Sequence, residues 1–434
     1  MADGGSRRFD GLTTEQKRAL AEKMLREKQT RSRMAAPASF IFPPEFAQLR
    51  DYFRFDGFKG VADLFFQICD GLNAAHAEID GRRYLNFCSY NYLGMSGDPA
   101  VSAAAKEAID RYGTSVSASR LVSGERPLHR QLERAIADWV RAEDALLFVG
   151  GFSTNENAIG HLMGAGDLVV YDSLIHASIQ QGAKLARATV APFPHNNPEA
   201  LDKILQRRRG DARHALVVIE GVYSMDGDIP DLPRFIEIAK RHNALLMVDE
   251  AHSMGVLGAT GRGIGEHFGI SPGDVDLWMG TLSKSFASCG GYIAGRADVV
   301  EYLRLTAPGF VYSVGLSPPD TAAALAALEQ LKAEPERVST LQARARLFIE
   351  RARAAGLDTG PSHGSAVVPI MIGSSVKSVL LSRALMERGI LALPIIYPAV
   401  PENTARLRFF ISSTHGVDEI EQAVAATGEC LARL

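Results

Sequence analysis

From about residue 96 the chain alternates between two hydrophobic patterns. Short, almost wholly apolar runs occur at ALLFVG (145–150), DLVVYD (167–172), HALVVIEGV (214–222), ALLMVDE (244–250) and DLWMGT (276–281). Between them lie longer stretches such as VSAAAKEAIDRYG (101–113), LHRQLERAIADWV (128–140) and DLPRFIEIAKRHN (231–243), whose apolar residues recur every three or four positions. That spacing places them on one face of a helix. Strands that are apolar along their whole length need cover on both faces. Their alternation with amphipathic helices therefore predicts an α/β fold with a mostly parallel central sheet covered by helices. After SPP (317–319) the chain turns to long Ala-rich helices and shorter strands such as AVVPIMIG (366–373). This change predicts a smaller C-terminal α+β domain over 317–434, behind a large domain over 96–316.

The first 95 residues read differently. TTEQKRALAEKMLREKQ (13–29) predicts a helix with Thr13 or Thr14 as its cap and a narrow apolar stripe of Leu20, Ala21, Met24 and Leu25. Residues 1–33 hold nine Lys/Arg against five Asp/Glu, a local charge of +4. Such an arm is either a solvated tail or a docking arm for an acidic partner or a membrane surface. Residues 34–95 carry Phe40, Phe42, Phe46, Tyr52, Phe53, Phe55, Phe58, Phe65 and Phe66. Aromatics this dense predict packing onto the main body; a functional role would favour an acyl chain or a membrane contact.

Composition narrows the classes. The 434 residues include 47 Lys+Arg and 50 Asp+Glu, for a net charge of -3, so no field is strong enough to make nucleic acid the main partner. The +4 arm leaves about -7 on the remaining 401 residues. Cys69, Cys88, Cys289 and Cys430 are far apart and form no C-x-x-C, which disfavours a zinc site or a disulfide framework and fits a reduced, cytoplasmic setting. The N-terminus lacks the apolar core of a signal peptide, and no apolar run reaches membrane-spanning length.

In open α/β sheets ligands bind beyond the carboxyl ends of the strands, so the residues just after each apolar run carry the candidate chemistry. They are Asp249, Glu250, Ala251 and His252; Tyr223, Ser224, Met225 and Asp226; Ser173 and His176; and Leu282, Ser283 and Lys284. The DEAH at 249–252 looks like a helicase box, but no P-loop accompanies it, and GATGRGIGEHFG lacks the dinucleotide-binding spacing. H-E-x-x-H and G-x-S-x-G are absent as well. A lysine on a polar turn after one strand, with an aspartate ending a neighbouring strand, suits pyridoxal 5'-phosphate (PLP). The lysine condenses with the aldehyde and the aspartate stabilises the protonated pyridine nitrogen.

With SYNYLGM (89–95), VGGFSTN (149–155), DSLIHASI (172–179), GVYSMDGD (221–228), VDEAHSMG (248–255), GTLSKS (280–285), FVYSVGLSPP (310–319) and LRFFISSTHG (407–416) in this order, the sequence resembles the α-oxoamine synthases, fold-type-I PLP enzymes. The resemblance implies that Lys284 holds PLP and moves the proton at the substrate α-carbon. Asp249 would pair with the pyridine nitrogen, His252 and Ser224 with the phenolic oxygen, and His176 would stack on the ring. Gly151 and Phe152 would hold the phosphate through their amides, aided by the Thr281 hydroxyl and by Ser313 from a partner subunit. Arg408 would clamp the substrate carboxylate, and Asn91 would lie at the shared site of a homodimer.

The reaction implied is condensation of a small α-amino acid with an acyl thioester, from acyl-CoA or acyl-carrier protein, giving an α-amino ketone, carbon dioxide and free thiol, with no metal. Within the family, GTSVSASRLVSG (113–124), with its Ser119–Arg120 pair, is most similar to bacterial serine palmitoyltransferases, implying serine, a long-chain acyl group and a sphingolipid product. The same segment is also similar to alanine- or glycine-using oxoamine synthases. An aminotransferase and a non-catalytic partner subunit are the remaining alternatives, the latter disfavoured by the presence of Lys284, Asp249 and His176.

Overall fold

The computed structural model describes residues 64–434 continuously and, before them, residues 13–16, 18–19, 22–23, 43–44, 46–47 and 50. The strands in chain order are β1 (Cys69–Asp70), β2 (His76–Ile79), β3 (Arg82–Asn86), β4 (Asp144–Phe148), β5 (Leu168–Asp172), β6 (Thr189–Phe193), β7 (Ala215–Glu220), β8 (Leu245–Asp249), β9 (Leu277–Thr281), β10 (Gly291–Gly295), β11 (Val367–Met371), β12 (Ile390–Leu391), β13 (Pro394–Ile395) and β14 (Arg406–Phe410).

Seven of them form the central sheet in the order β4-β10-β9-β8-β7-β5-β6. Neighbours are parallel except where β10 runs antiparallel to both β4 and β9. The five apolar runs read from the sequence are all strands of this sheet. Burial explains them: every residue of β7 is buried, with Ala215, Val217 and Ile219 in the core on one face and Leu216 and Val218 in the core on the other. Each such side chain contributes about 1.5–3 kcal/mol by leaving water. Two strands escaped the sequence reading. β6 is an edge strand with Pro192 and two exposed positions, and β10 is GYIAG, whose glycines give no apolar run.

The three helices read from the sequence form at Pro99–Tyr112, Pro127–Val140 and Leu232–Arg241. The Ala-rich helices after 317 are Pro318–Ala333 and Glu336–Ala354. They lead into a three-stranded antiparallel sheet, β11-β14-β13, and a four-stranded sheet, β1-β2-β3-β12, in which β12 pairs in parallel with β3. Residues Gly60–Leu434 form one compact unit. Among the described residues no helix is long and apolar enough to cross a membrane.

At the N-terminus, residues 14–16, 18–19 and 22–23 are helical, and Thr13 caps them. Its hydroxyl accepts from the Gln16 amide, while the Gln16 side chain accepts from the Thr13 amide. The expected apolar stripe lies outside the described residues, as do Phe40, Phe42, Tyr52, Phe53, Phe55 and Phe58. Phe46 and Phe66 are exposed and Phe65 is half-buried.

The turn after β7 is fastened unusually firmly. His195 Nδ1 bonds Asp172 Oδ1 at 2.9 Å, and its Nε2 lies 3.0 Å from Asp228 Oδ2. Tyr223 donates its hydroxyl to Asp172 Oδ2 at 2.9 Å. These carboxylates and hydrogen bonds outweigh the burial of the ring and hold the His195 imidazole up to about 10. The Gly227 carbonyl accepts from the Ser365 hydroxyl at 2.7 Å. Gly227 has φ 68°, and a Cβ there would meet the Val367 carbonyl oxygen at 1.9 Å. Gly227→Ala is therefore expected to destabilise the protein by about 3 kcal/mol, read as a lower denaturation midpoint; an unchanged midpoint would show that the turn does not bear on β11.

Candidate active site

The carboxyl ends of β7, β8 and β9 meet a single cavity of about 530 Å³. Register places Glu220 opposite Asp249 and Asp249 opposite Met279, so these polar strand ends lie in one row. Gly151, Phe152, His176, Ser224, Asp249, His252, Thr281, Lys284 and Arg408, all expected site residues, line this cavity together.

Asp249 is buried, and both of its oxygens are held. Oδ1 accepts from the Ala251 amide and Oδ2 from Asn155 Nδ2, each at 2.9 Å. Asn155 Nδ2 also donates to Ser178 Oγ at 2.9 Å, and Ser178 Oγ lies 2.7 Å from His176 Nδ1. Since Ser178 Oγ already accepts from Asn155, its proton goes to His176 Nδ1, which also accepts from the Ser178 amide at 3.3 Å. The chain Asp249–Asn155–Ser178–His176 thus fixes the imidazole with its Nε2 protonated. Burial, with Lys284 and Arg408 nearby, lowers its pKa despite the pull of Asp249. His252 is set similarly. The Tyr92 hydroxyl lies 2.7 Å from His252 Nδ1, and burial with the Lys284 and Arg408 cations holds the imidazole well below its ordinary range. Burial also raises the Tyr92 phenol, so its hydroxyl stays protonated beside His252.

Lys284 follows β9 on a polar turn, with its Nζ 5.5 Å from the centre of the Tyr90 ring. Burial lowers its pKa to about 8, against the opposing pull of Asp249 and Glu220. Glu220 is pushed up to about 8 by burial and by Asp249, with Lys284 pulling the other way. It accepts from the amides of His176 at 2.7 Å and Ser224 at 3.2 Å, tying two walls of the cavity together. Opposite, the helix Gly151–Leu162 begins at the cavity, and its first amides have no acceptor within the helix. A Cβ on Gly151 would meet Thr281 Oγ1 at 2.6 Å, so only glycine lets this helix start approach the end of β9. Arg408 on β14 donates to the Ser224 carbonyl at 2.9 Å and stacks 4.5 Å from the Phe410 ring, with no carboxylate bound to it among the described residues.

These residues fit PLP. The glycine-started helix and Thr281 form an anion cradle, Asp249 is held ready for a protonated ring nitrogen, and Lys284 is poised to lose its proton near neutral pH.

The comparisons with known proteins agree. Residues 82–426 match the family model Aminotransferase class I and II. An 8-amino-7-oxononanoate synthase of Geobacter sulfurreducens is 40% identical over 385 residues, 88% of this chain and 95% of that protein. A serine palmitoyltransferase variant from S. paucimobilis with a PLP–myriocin aldimine bound superposes with a TM-score of 0.85 at 31% identity, covering 90% of this chain and 98% of that one. The chain belongs to the α-oxoamine synthase family. An 8-amino-7-oxononanoate synthase structure from Francisella tularensis superposes with a TM-score of 0.70 at 28% identity over 80% of this chain and 97% of that one. The fold-type-I architecture and the PLP cofactor expected from the sequence are therefore those of this oxoamine synthase.

Two expected residues stand outside the cavity lining. Asn91 is buried and accepts from the Ser96 amide at 3.1 Å, leaving its Nδ2 without a partner. Ser313 is half-buried between exposed Tyr312 and Val314. Conversely, Asn155, Ser178, Glu220, Tyr90 and Tyr92 were not singled out from the sequence. Glu220 had a readable signal, since it ends its own strand as Asp249 does. Asn155 sits four residues after Gly151 and so shares its helix face.

Lys284 gives a direct test. Only the neutral amine attacks the PLP aldehyde, so cofactor uptake by the apoprotein should rise about tenfold per pH unit below about 8 and level off above it. The absorbance of the bound cofactor reports it, and Lys284→Ala should abolish the band. A profile still climbing toward pH 10 would mean that the lysine is not desolvated.

Proposed function

We propose that this oxoamine synthase joins alanine to an acyl thioester, releasing carbon dioxide, free thiol and an α-amino ketone. The observation that carries the reading is the 40% identity to an 8-amino-7-oxononanoate synthase over 95% of that protein's length. The product's name is informative. In a nine-carbon acid with an amino group on the eighth carbon and a ketone on the seventh, the last two carbons are those left by alanine after decarboxylation. The other seven come from an acyl group ending in a carboxylate, which makes an ω-carboxyacyl thioester the first donor to test. The relatives thus favour the alanine- or glycine-using alternative over the serine reading. A second reading, serine with a long-chain acyl group, draws on the backbone, which superposes on a serine palmitoyltransferase at 0.85 against 0.70 for the Francisella enzyme.

Bound PLP supplies an electron sink for the negative charge left when the amino acid's α-carbon loses its proton. Arg408, lacking a carboxylate partner, receives the amino acid's carboxylate by the bidentate geometry that suits guanidinium. Lys284 would take the amino acid's α-proton and later return one. His176, oriented by Ser178, would cover one face of the site. His252 and Ser224 would hold the cofactor's phenolic oxygen, and Asp249 would pair with its protonated ring nitrogen. Asn91 and Ser313 complete the site of a second copy. This assembly is supported by exposed Leu121, Val122, Tyr312 and Val314, carried on two segments that are joined by the Gly315 amide and the Ala118 carbonyl at 3.1 Å.

Two measurements test these proposals. Incubation with PLP, each of alanine, glycine and serine, and ω-carboxyacyl- or palmitoyl-CoA should give an alanine-derived ketone by mass spectrometry; a ketone from serine alone would overturn the alanine reading. Light scattering should give twice the chain mass, and Tyr312→Asp should shift it toward the monomer with loss of activity. A wild-type monomer that is fully active would exclude the shared site.

A further inference from the structure

Arg406 and Arg408 sit two residues apart on β14, so their side chains leave the same face of the strand toward the turn after β7. They meet it differently. Arg406 is buried and forms an ion pair with buried Asp226 through Nη1. Its Nε also donates to the Thr404 carbonyl at 2.9 Å, and Nη1 lies 3.3 Å from the Met225 carbonyl. Arg408 reaches the Ser224 carbonyl and, at 3.4 Å, the Met225 sulfur, and among the described residues it pairs with no carboxylate. Ser224 and Met225 both line the cavity, whereas Asp226 and Arg406 do not.

We propose that the Asp226–Arg406 pair is a positioning latch that sets the reach of Arg408 toward the amino acid's carboxylate. A desolvated ion pair holds its geometry far better than a solvated one, and losing one partner leaves a buried charge unpaired. The latch is anchored to β14 beside Arg408 and bonded to the turn beside Ser224, so it fixes the distance between the arginine and the crest it rests on. It also commits one of two adjacent guanidinium groups, leaving Arg408 alone to receive a carboxylate. Neither partner touches substrate; both act through Arg408 and Ser224.

The inference rests on the reading that Arg408 binds the substrate carboxylate, and the test separates the two. The PLP-loaded protein would be titrated with alanine, following the cofactor's absorbance for Kd, alongside steady-state KM and kcat. Asp226→Asn should raise Kd and KM about tenfold with kcat within about threefold, while PLP affinity stays as in the wild type. Arg406→Lys, which keeps the charge but loses the Nε donor to the Thr404 carbonyl, should raise Kd and KM about threefold, again with PLP affinity as in the wild type. Arg408→Ala is the reference. If it leaves Kd and KM unchanged, the carboxylate reading itself fails. If it raises them while Asp226→Asn and Arg406→Lys do not, the latch is refuted. Thermal melting identifies a variant that merely unfolds. Should Asp226→Asn do so, Arg406→Lys decides alone: an Arg406→Lys protein with wild-type melting but a loss of PLP affinity equal to its loss of alanine affinity would also refute the latch.

Discussion

The buried carboxylate of Asp249 organises the site. Placing an acid at the end of a central strand, where water cannot solvate it, obliges the surrounding chain to supply donors. The Ala251 amide and Asn155 do so, and Asn155 then extends the constraint through Ser178 to His176. Burial dominates at both neighbours, and the same charge adds to it in raising Glu220 while opposing it at Lys284. Without Asp249, the Asn155 amide would lose the acceptor that orients it.

Much of this was legible in the sequence because continuous apolar runs and the polar residues that end them are local signals. Lys284, Asp249, His252 and Ser224 each announce themselves directly after such a run. Residues that act by connecting others were not legible. Ser178 sits at the start of a helix with no special spacing, and Tyr92 reaches His252 from a segment 160 residues earlier. β6 and β10 were missed for a related reason: an edge position and a glycine-rich strand remove the apolar run without removing the strand. Glu220 was absorbed into the strand it terminates, although its register with Asp249 gives it equal standing.

The substrate question has a physical basis. The residues that make this cavity fit PLP carry little information about which amino acid enters. Discrimination between a methyl and a hydroxymethyl side chain depends on whether a polar partner awaits the hydroxyl. Near Arg408 the turn presents the thioether of Met225, a weak acceptor that suits a methyl group better than a hydroxyl.

The pairing of β12 with β3 bears on the order of assembly. Leu85 and Asn86 bond across to Ile390 and Leu391, and the Phe87 carbonyl accepts from the Phe410 amide. During synthesis the early strand must therefore wait, with its edge unpaired, until β12 has left the ribosome. A truncated translation product would lack Arg408 and leave that edge open, a template for association with other chains. Closure of this early edge thus depends on a strand that lies far along the sequence.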